Sequence, residues 1–295
     1  MMQLIEQEVV GKLSRSPERR ARISPLVWLN LLCLDAPLVA ITWQWLFARS
    51  FGVTITASSR AALFLTAWLI YLADRLADTW ALHVDDPRSL RQMFCERNRG
   101  AFMLAVPSVS LIDLWIIWRQ LDHATVNIGT MVGTFSLLYL AVNYWLGKIW
   151  GWFPVKEICV GSLFAIGTIT TLHPLVRTSL PFIEGCLLFA ALCSLNCISI
   201  AVWERELDHA QRKNSIATRW SRIRFCLRPG AVVLTVFAIA SVTNISAWLY
   251  ICIGVSAALL GVLDWLSEQI QRDERTALAD LVLLTPLFLL ALGIA

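Results

Sequence analysis

Long apolar stretches constrain this chain more than any other feature of its sequence. A helix that crosses a bilayer needs about 20 mainly apolar residues, because the hydrocarbon offers the backbone no hydrogen-bond partners. Hydrophobic residues make up 57% of the 295 residues and charged residues 16%, against about 45–50% and about 25% in soluble domains. The sequence therefore predicts an all-α, polytopic membrane protein and excludes soluble enzymes and nucleic-acid-binding proteins. Nine stretches are expected to span the membrane: 25–48, 61–80, 101–118, 124–146, 157–176, 180–203, 229–243, 245–266 and 278–294.

The basic residues indicate how such a bundle is oriented. If residues 1–24 form a basic cytoplasmic tail, 21 of the 25 Lys and Arg residues fall on the cytoplasmic side of nine spans. Only Arg49, Arg60, Arg119 and Arg177 remain on the other side. Because cytoplasmic loops of membrane proteins are rich in Lys and Arg, we expect a cytoplasmic amino terminus and one transmembrane domain over residues 25–295. The protein would be multi-pass, in the inner membrane if the chain is bacterial.

Two acidic motifs interrupt the apolar pattern in the same way. The second predicted span ends with Asp74, Arg75 and, one turn later, Asp78, while the sixth is followed by Glu204, Arg205 and Asp208. The acid-Arg-x-x-Asp pattern thus recurs, each time before a basic cytoplasmic loop, as a weak internal repeat. Residues four apart share one face of a helix, so each motif is expected to present a pair of carboxylates.

Four carboxylates at the carboxyl ends of helices need compensating positive charge, because the helix dipole is already negative there. Arg75 and Arg205 supply part of it, and a divalent cation would supply more. Mg²⁺ prefers a few carboxylates together with water and phosphate oxygens. Two facing acid pairs would therefore suit magnesium bound to the diphosphate of a lipid whose tail lies among the helices. The alternative is that these are solvated charges where helices leave the bilayer.

These motifs resemble those of the UbiA superfamily of intramembrane prenyltransferases. Members of that superfamily are nine-helix bundles with acidic motifs on the second and sixth helices, each followed by a cytoplasmic cap segment. Asp74 and Asp78 match the two aspartates of the first family motif, usually N-x-x-x-D-x-x-x-D, and Arg75 matches the basic residue often found after the first. Glu204 and Asp208 stand at two positions of the second motif. The resemblance covers most of the chain in architecture, and about twenty residues in specific motifs.

The resemblance implies a site with catalytic and magnesium-binding carboxylates and a set of basic residues that hold the diphosphate. The carboxylates are Asp74, Asp78, Glu204 and Asp208, and the basic residues are Arg75, Lys148, Lys156, Arg212 and Lys213. Two departures from the family pattern reduce the number of metal ligands. Ile70 stands where an asparagine is usual, and Ile200 where another acid is common.

The activity implied is transfer of an isoprenyl group from an isoprenyl diphosphate to a lipophilic acceptor, an aromatic ring being one option, at a site that faces the cytoplasm. An alternative is a cyclase of the same architecture, in which the chain's own double bond captures the cation. A third reading, from a different class, is a lipid-binding or transport protein without catalysis. The oligomeric state does not follow from the sequence.

Other charged residues lie in or near the predicted spans. Asp35 falls inside the first span, where it either pairs with a basic partner in the bundle or contacts a substrate. Asp113 lies midway in the third span, and the sequence does not identify its partner. Asp264 and Asp280 are expected to be ordinary interface charges. The loop 81–100 either folds as an amphipathic cap over the diphosphate, with Arg88 or Arg91 pointing inward, or only satisfies topology and binds anionic lipid headgroups.

Overall fold

The computed structural model describes residues 24–145, 155–172, 174–176, 179–242 and 247–293. Within these ranges the regular secondary structure is entirely helical. The helices are α1 Pro25–Leu31, α2 Asp35–Ser50, α3 Ala57–Trp80, α4 Leu90–Arg97, α5 Arg99–Gln120, α6 His123–Trp145, α7 Lys156–Ile169, α8 Leu180–Trp203, α9 Arg205–Ala210, α10 Ile216–Arg219, a 3-10 helix Ser221–Cys226, α11 Leu227–Ala240, α12 Ala247–Trp265, α13 Arg272–Val282 and α14 Pro286–Ala291.

Five of the described helical segments are long and apolar enough to cross a membrane. They are Arg99–Gln120, His123–Trp145, Leu180–Trp203, Ser221–Ala240 and Ala247–Trp265, and they coincide with the third, fourth, sixth, seventh and eighth predicted spans. The prediction of an all-helical chain with several membrane-spanning helices is therefore confirmed for the described residues. The count of nine spans and the cytoplasmic amino terminus stay predictions.

The first predicted span, 25–48, is bent in the structure. Helices α1 and α2 meet at 92°, and Cys33 at the break has a φ of 58°, in the left-handed region. The reason lies at the start of α2, where Asp35 Oδ1 accepts a hydrogen bond from the backbone N–H of Ala36 at 2.9 Å and Pro37 occupies the first turn. An acid and a proline are both favoured at a helix start, so this sequence begins a new helix.

Two other predicted spans are shorter in the structure. The fifth, predicted over 157–176, corresponds to the 14-residue helix α7, which falls short of the bilayer thickness. The ninth, predicted over 278–294, is divided between α13 and α14, with Pro286 at the first position of the second piece. Proline has no N–H to continue a helix, so it starts α14 instead.

The core of the bundle lies between α2, α7, α8, α12 and α13. Trp43 and Phe189 stack there with ring centroids 4.5 Å apart, and the indole N–H of Trp43 donates to the carbonyl of Leu283 at 2.7 Å. Helices α5 and α6 are the opposite case, because most of their apolar surface is uncovered, including Leu111 and Leu137. Apolar helices left open in this way suit contact with lipid.

Helices α7 and α8 lie in close contact at Gly161. A Cβ atom added there would lie 2.6 Å from the Cα and 2.7 Å from the backbone carbonyl carbon of two α8 residues, Ser194 and Cys193. Backbone atoms cannot turn aside as a flexible side chain can. Only glycine therefore allows this contact, which fixes where α7 presents Lys156 at its first turn.

We predict that Gly161→Ala destabilises the protein, because the added methyl group forces α7 and α8 apart. Overpacking of this kind costs on the order of 1–3 kcal/mol. The measurement is the thermal unfolding midpoint in detergent, followed by circular dichroism. Gly167→Ala is the matched control, since its added Cβ on the same helix would meet only a Val132 methyl at 4.0 Å. Equal midpoints for the two variants would contradict the prediction.

Candidate functional site

The first acidic motif lies on the last turns of α3. This helix begins at Thr56, whose hydroxyl caps it by accepting from the backbone N–H of Ser59 at 3.1 Å. Twenty-four residues of continuous helix keep Asp74 and Asp78 on one face, as predicted. The hydroxyl of Tyr144, on the last turn of α6, lies 2.9 Å from Asp74 Oδ1 and 3.1 Å from Asp78 Oδ1. The two carboxyl groups therefore converge on a single point.

Two lysines lie between the acidic motifs. Lys213, which follows the second motif, forms an ion pair with Asp78, with Nζ 2.8 Å from Oδ2. Lys156, on the first turn of α7, is close enough to attract Asp74 and Asp78 as well as Asp208 of the second motif. Residues separated by up to 139 positions, from Asp74 to Lys213, are thus brought to one end of the bundle.

The second motif differs from the first because its helix is interrupted. Helix α8 ends at Trp203 and α9 begins at Arg205, with Glu204 between them. The backbone N–H of Asp208 still donates to the carbonyl of Glu204 at 2.9 Å, so helical spacing is kept. Glu204 is 6% exposed and forms an ion pair with Arg91, and Thr276 of α13 lies 3.4 Å from its other oxygen.

The loop 81–100 folds over this end as the short helix α4. Ser89 caps it, with its N–H donating to Gln92 Oε1 at 2.9 Å and its hydroxyl accepting from the N–H of Gln92. The amide of Gln211, just after α9, donates to the carbonyl of Pro87 at 2.6 Å. These contacts attach the loop to the second motif and point Arg91 inward. That the loop covers a diphosphate stays a prediction.

Asp208 lies outside the membrane-spanning segments, on α9. Burial, followed by the negative charge of Glu204, raises the pKa of Asp208 to about 6 from its ordinary 3.8. Lys213, Ser215 and Lys156 act in the opposite direction and only partly offset this. Asp208 is therefore a carboxyl group that changes charge near neutral pH.

The residues present offer Mg²⁺ one pair of carboxylates. Asp74 and Asp78 offer two carboxylates that converge on one point, and Mg²⁺ takes one or two carboxylates plus water and phosphate oxygens. No group of three or more His, Cys, Asp or Glu side chains among the described residues is close enough to hold a metal ion. Glu204 and Asp208 are instead held by Arg91 and by Ser215.

The basic residues predicted to bind diphosphate differ in where they lie. Lys156 and Lys213 lie among the motif acids, as described above. Arg75 is 5% exposed, and its guanidinium lies 5.1 Å from the ring centroid of Tyr71. Arg212 is exposed, and its left-handed φ of 56° turns the chain so that Lys213 reaches Asp78. Lys148 lies outside the described residues.

Sequence reasoning missed Tyr144, although a tyrosine at the end of a span, in a chain with four tyrosines, was a signal. The expectation that Asp264 and Asp280 are ordinary interface charges is wrong. Asp264 is 8% exposed and bonds to Trp203 Nε1 at 3.0 Å and Arg228 Nε at 2.9 Å. Asp280 accepts a 2.9 Å hydrogen bond from Asn196 inside the bundle.

The intramembrane acid Asp113 is hydrogen-bonded to a neighbouring helix. It is 4% exposed and accepts a 2.6 Å hydrogen bond from the hydroxyl of Thr66, on the neighbouring helix α3. The structure thus supplies for Asp113 the partner that the sequence did not identify.

Comparisons of the chain with protein-family models, with curated proteins and with solved structures give no match.

We predict that Asp208 makes the fold less stable as the pH rises. The pKa of Asp208 is higher in the folded than in the unfolded protein. Its contribution to the free energy of unfolding is therefore fully present below about pH 4 and is lost as the pH passes 6. The loss is on the order of 2–3 kcal/mol. Asp208→Asn should therefore gain stability relative to the wild type between pH 4.5 and 7.5, as measured by thermal unfolding. Asp85→Asn is the control, because Asp85 is an exposed acid in the loop 81–100. The same pH dependence of stability in the wild type and in Asp208→Asn would contradict the prediction.

Proposed function

We propose that the protein is a membrane-embedded prenyltransferase of the UbiA type, which transfers an isoprenyl group from an isoprenyl diphosphate to a lipophilic acceptor. One observation carries the proposal: Lys213 is ion-paired with Asp78 of the first motif, and Lys213 and Lys156 also lie close enough to attract Asp208 of the second, at one end of an apolar helical bundle. Lysines that lie among carboxylates can exchange those partners for phosphate oxygens. The apolar helices would hold the isoprenyl chain.

The chemistry follows from the charges at this end. When the allylic C–O bond breaks, negative charge grows on the leaving diphosphate, and lysine ammonium groups already in place stabilise it. Asp74 and Asp78 would hold Mg²⁺, which supplies further positive charge to the diphosphate oxygens when bound. Tyr144 orients both carboxyl groups through its hydroxyl. Arg91 fixes Glu204 and so keeps the α4 cap over the site.

The location of the site also supports the proposal. The acids and lysines lie where α3 and α8 end, beside the loops that carry most of the basic residues. The excess of Lys and Arg in these loops predicts that this end faces the cytoplasm, where water can solvate a diphosphate group. An isoprenyl diphosphate lying across this boundary would have its charged group at the lysines and its tail in the bundle.

The decisive experiment is an assay of diphosphate release by the purified protein with magnesium and a panel of isoprenyl diphosphates. Release that depends on an added lipophilic acceptor supports transfer. Release with a cyclic hydrocarbon or alcohol as product would replace the proposal by a cyclase. Substrate binding without release from any panel member would replace it by a non-catalytic lipid-binding protein.

We predict that Asp74→Asn and Asp78→Asn each lower magnesium-dependent diphosphate release by about a hundredfold or more, since each removes a charge that holds the cation against the leaving group. The measurement is initial release rate as a function of magnesium concentration. Asp85→Asn is the control, because Asp85 is an exposed loop acid outside both motifs. If all three variants behave alike, the first motif does not act as proposed.

Lys213 and Arg212 offer a matched pair of neighbouring cations. Lys213 is ion-paired with Asp78, whereas Arg212 is exposed. We predict that Lys213→Gln weakens binding of the diphosphate substrate about tenfold or more, the scale of one lost charge-assisted hydrogen bond. Arg212→Gln should have a much smaller effect. Isothermal titration with a non-hydrolysable isoprenyl diphosphate analogue tests this, and the reverse order of the two effects would count against the site.

A further inference from the structure

An open apolar groove of about 340 Å³ lies between α11 and α12, which belong to the seventh and eighth predicted spans. Small residues bring the two helices together there, since a Cβ added at Gly261 would lie 3.2 Å from the Cβ of Ala231. Exposed valines line the groove beside them, namely Val232, Val236 and Val262. In a bilayer, an apolar groove of this kind suits an acyl chain.

One end of the groove lies where the two helices leave the apolar region. Arg228, on the first turn of α11, and Trp265, the last residue of α12, line this end. Trp265 is exposed, and exposed indoles are favoured at the level of the lipid headgroups. From Arg228 the groove extends eight residues to Val236, roughly 12 Å along the helix. An acyl chain in it would therefore point from the headgroup level into the hydrocarbon.

A second cavity, of about 310 Å³, is lined by arginines from three segments of the chain. They are Arg205 of α9, Arg224 of the 3-10 helix and Arg275 of α13, and the acid that lines the cavity with them is Glu206. Among the described residues, none of these three arginines forms an ion pair. The cavity thus has an excess of positive charge, and planar guanidinium groups are well suited to phosphate oxygens.

The two cavities border the same carboxyl group, that of Asp264. Arg228, which lines the groove, donates from Nε to Asp264 Oδ2 at 2.9 Å. Trp203, which lines the arginine cavity, donates from Nε1 to Asp264 Oδ1 at 3.0 Å. The guanidinium of Arg275 lies 5.4 Å from the ring centroid of this same Trp203. A molecule with its chain in the groove would therefore have its polar end beside the arginines.

We propose that the two adjoining cavities bind an anionic phospholipid, with an acyl chain in the groove and the phosphate at Arg205, Arg224 and Arg275. The groove alone would accept a chain of any lipid, whereas three arginines without an ion pair favour a headgroup with net negative charge. Basic pockets beside membrane helices on the cytoplasmic side bind such headgroups. The lipid site is separate from the proposed diphosphate site, whose described residues line neither cavity.

The test is a titration of the purified full-length protein with dioleoylphosphatidylglycerol and with dioleoylphosphatidylcholine, in which native mass spectrometry counts the bound lipids. We expect the first phosphatidylglycerol to bind about tenfold or more tightly than the first phosphatidylcholine, the scale of one charge-assisted hydrogen bond. Equal affinities would overturn the proposal, because the arginines would then not select the headgroup.

Arg224→Gln tests the headgroup part of the site, and Arg222→Gln is its matched control. Both arginines are exposed on the same 3-10 helix, but of the two only Arg224 lines the cavity. We expect Arg224→Gln to lose most of the preference for phosphatidylglycerol and Arg222→Gln to keep it. The same loss in both variants would indicate attraction to the basic loop as a whole and would overturn the site.

Ala258→Phe tests the groove, because Ala258 is an exposed lining residue and a phenyl ring there would occupy the space of the chain. We expect binding of phosphatidylglycerol to weaken about tenfold, the scale of a few methylene groups returned to the solvent phase. Leu259→Phe, at the next residue of α12 and outside the groove lining, should bind as the wild type does. Unchanged binding in Ala258→Phe would exclude the groove.

Glycerol phosphate, a headgroup without chains, decides the matter in the wild type should Ala258→Phe not fold. Binding a hundredfold or more weaker than that of phosphatidylglycerol supports the groove. Binding as tight as that of phosphatidylglycerol would overturn the proposal and assign the arginines to a soluble phosphate compound. None of these measurements involves turnover, so their failure would leave the proposed function intact.

Discussion

A carboxylate removed from water must be compensated, and this requirement organises the whole bundle. At an effective dielectric well below that of water, an unpaired charge costs several kcal/mol, more than any single apolar contact returns. The described structure meets the cost in three ways. Lysine and arginine side chains compensate Asp78 and Glu204, a tyrosine hydroxyl reaches Asp74, and asparagine amides donate to Asp35 and Asp280.

The breaks in the helices follow from the same requirement. The 92° bend between α1 and α2 places Asp35 at a helix amino terminus, where the dipole favours an acid, and leaves Asn30 within reach of it. The interruption at Glu204 lets its side chain meet Arg91 of the cap. The left-handed Arg212 reverses the chain after α9, which returns Lys213 to Asp78. Irregular backbone here serves to bring charges together.

The sequence allowed prediction of what depends on local pattern. Hydrophobic length gave five spans that the structure contains, and the i,i+4 rule placed Asp74 beside Asp78 because α3 is continuous. What failed depends on contacts between distant segments. Nothing local distinguishes Asp280 from a solvated charge, since its hydrogen-bond partner Asn196 lies 84 positions away. Likewise Tyr144 acquires its role only because the end of α6 comes close to the end of α3.

The cationic side chains at the helix ends are already paired with acids in the described structure. Lys213 is ion-paired with Asp78, and Lys156 lies close enough to attract Asp74 and Asp208. Ionisation of an allylic diphosphate would leave the anion among these lysines and the carbocation inside the apolar bundle. Ammonium groups that are in place before the bond breaks favour the charge-separated transition state over the ground state of the reacting bond. The proposed transfer therefore depends on lysines that can exchange carboxylate oxygens for phosphate oxygens.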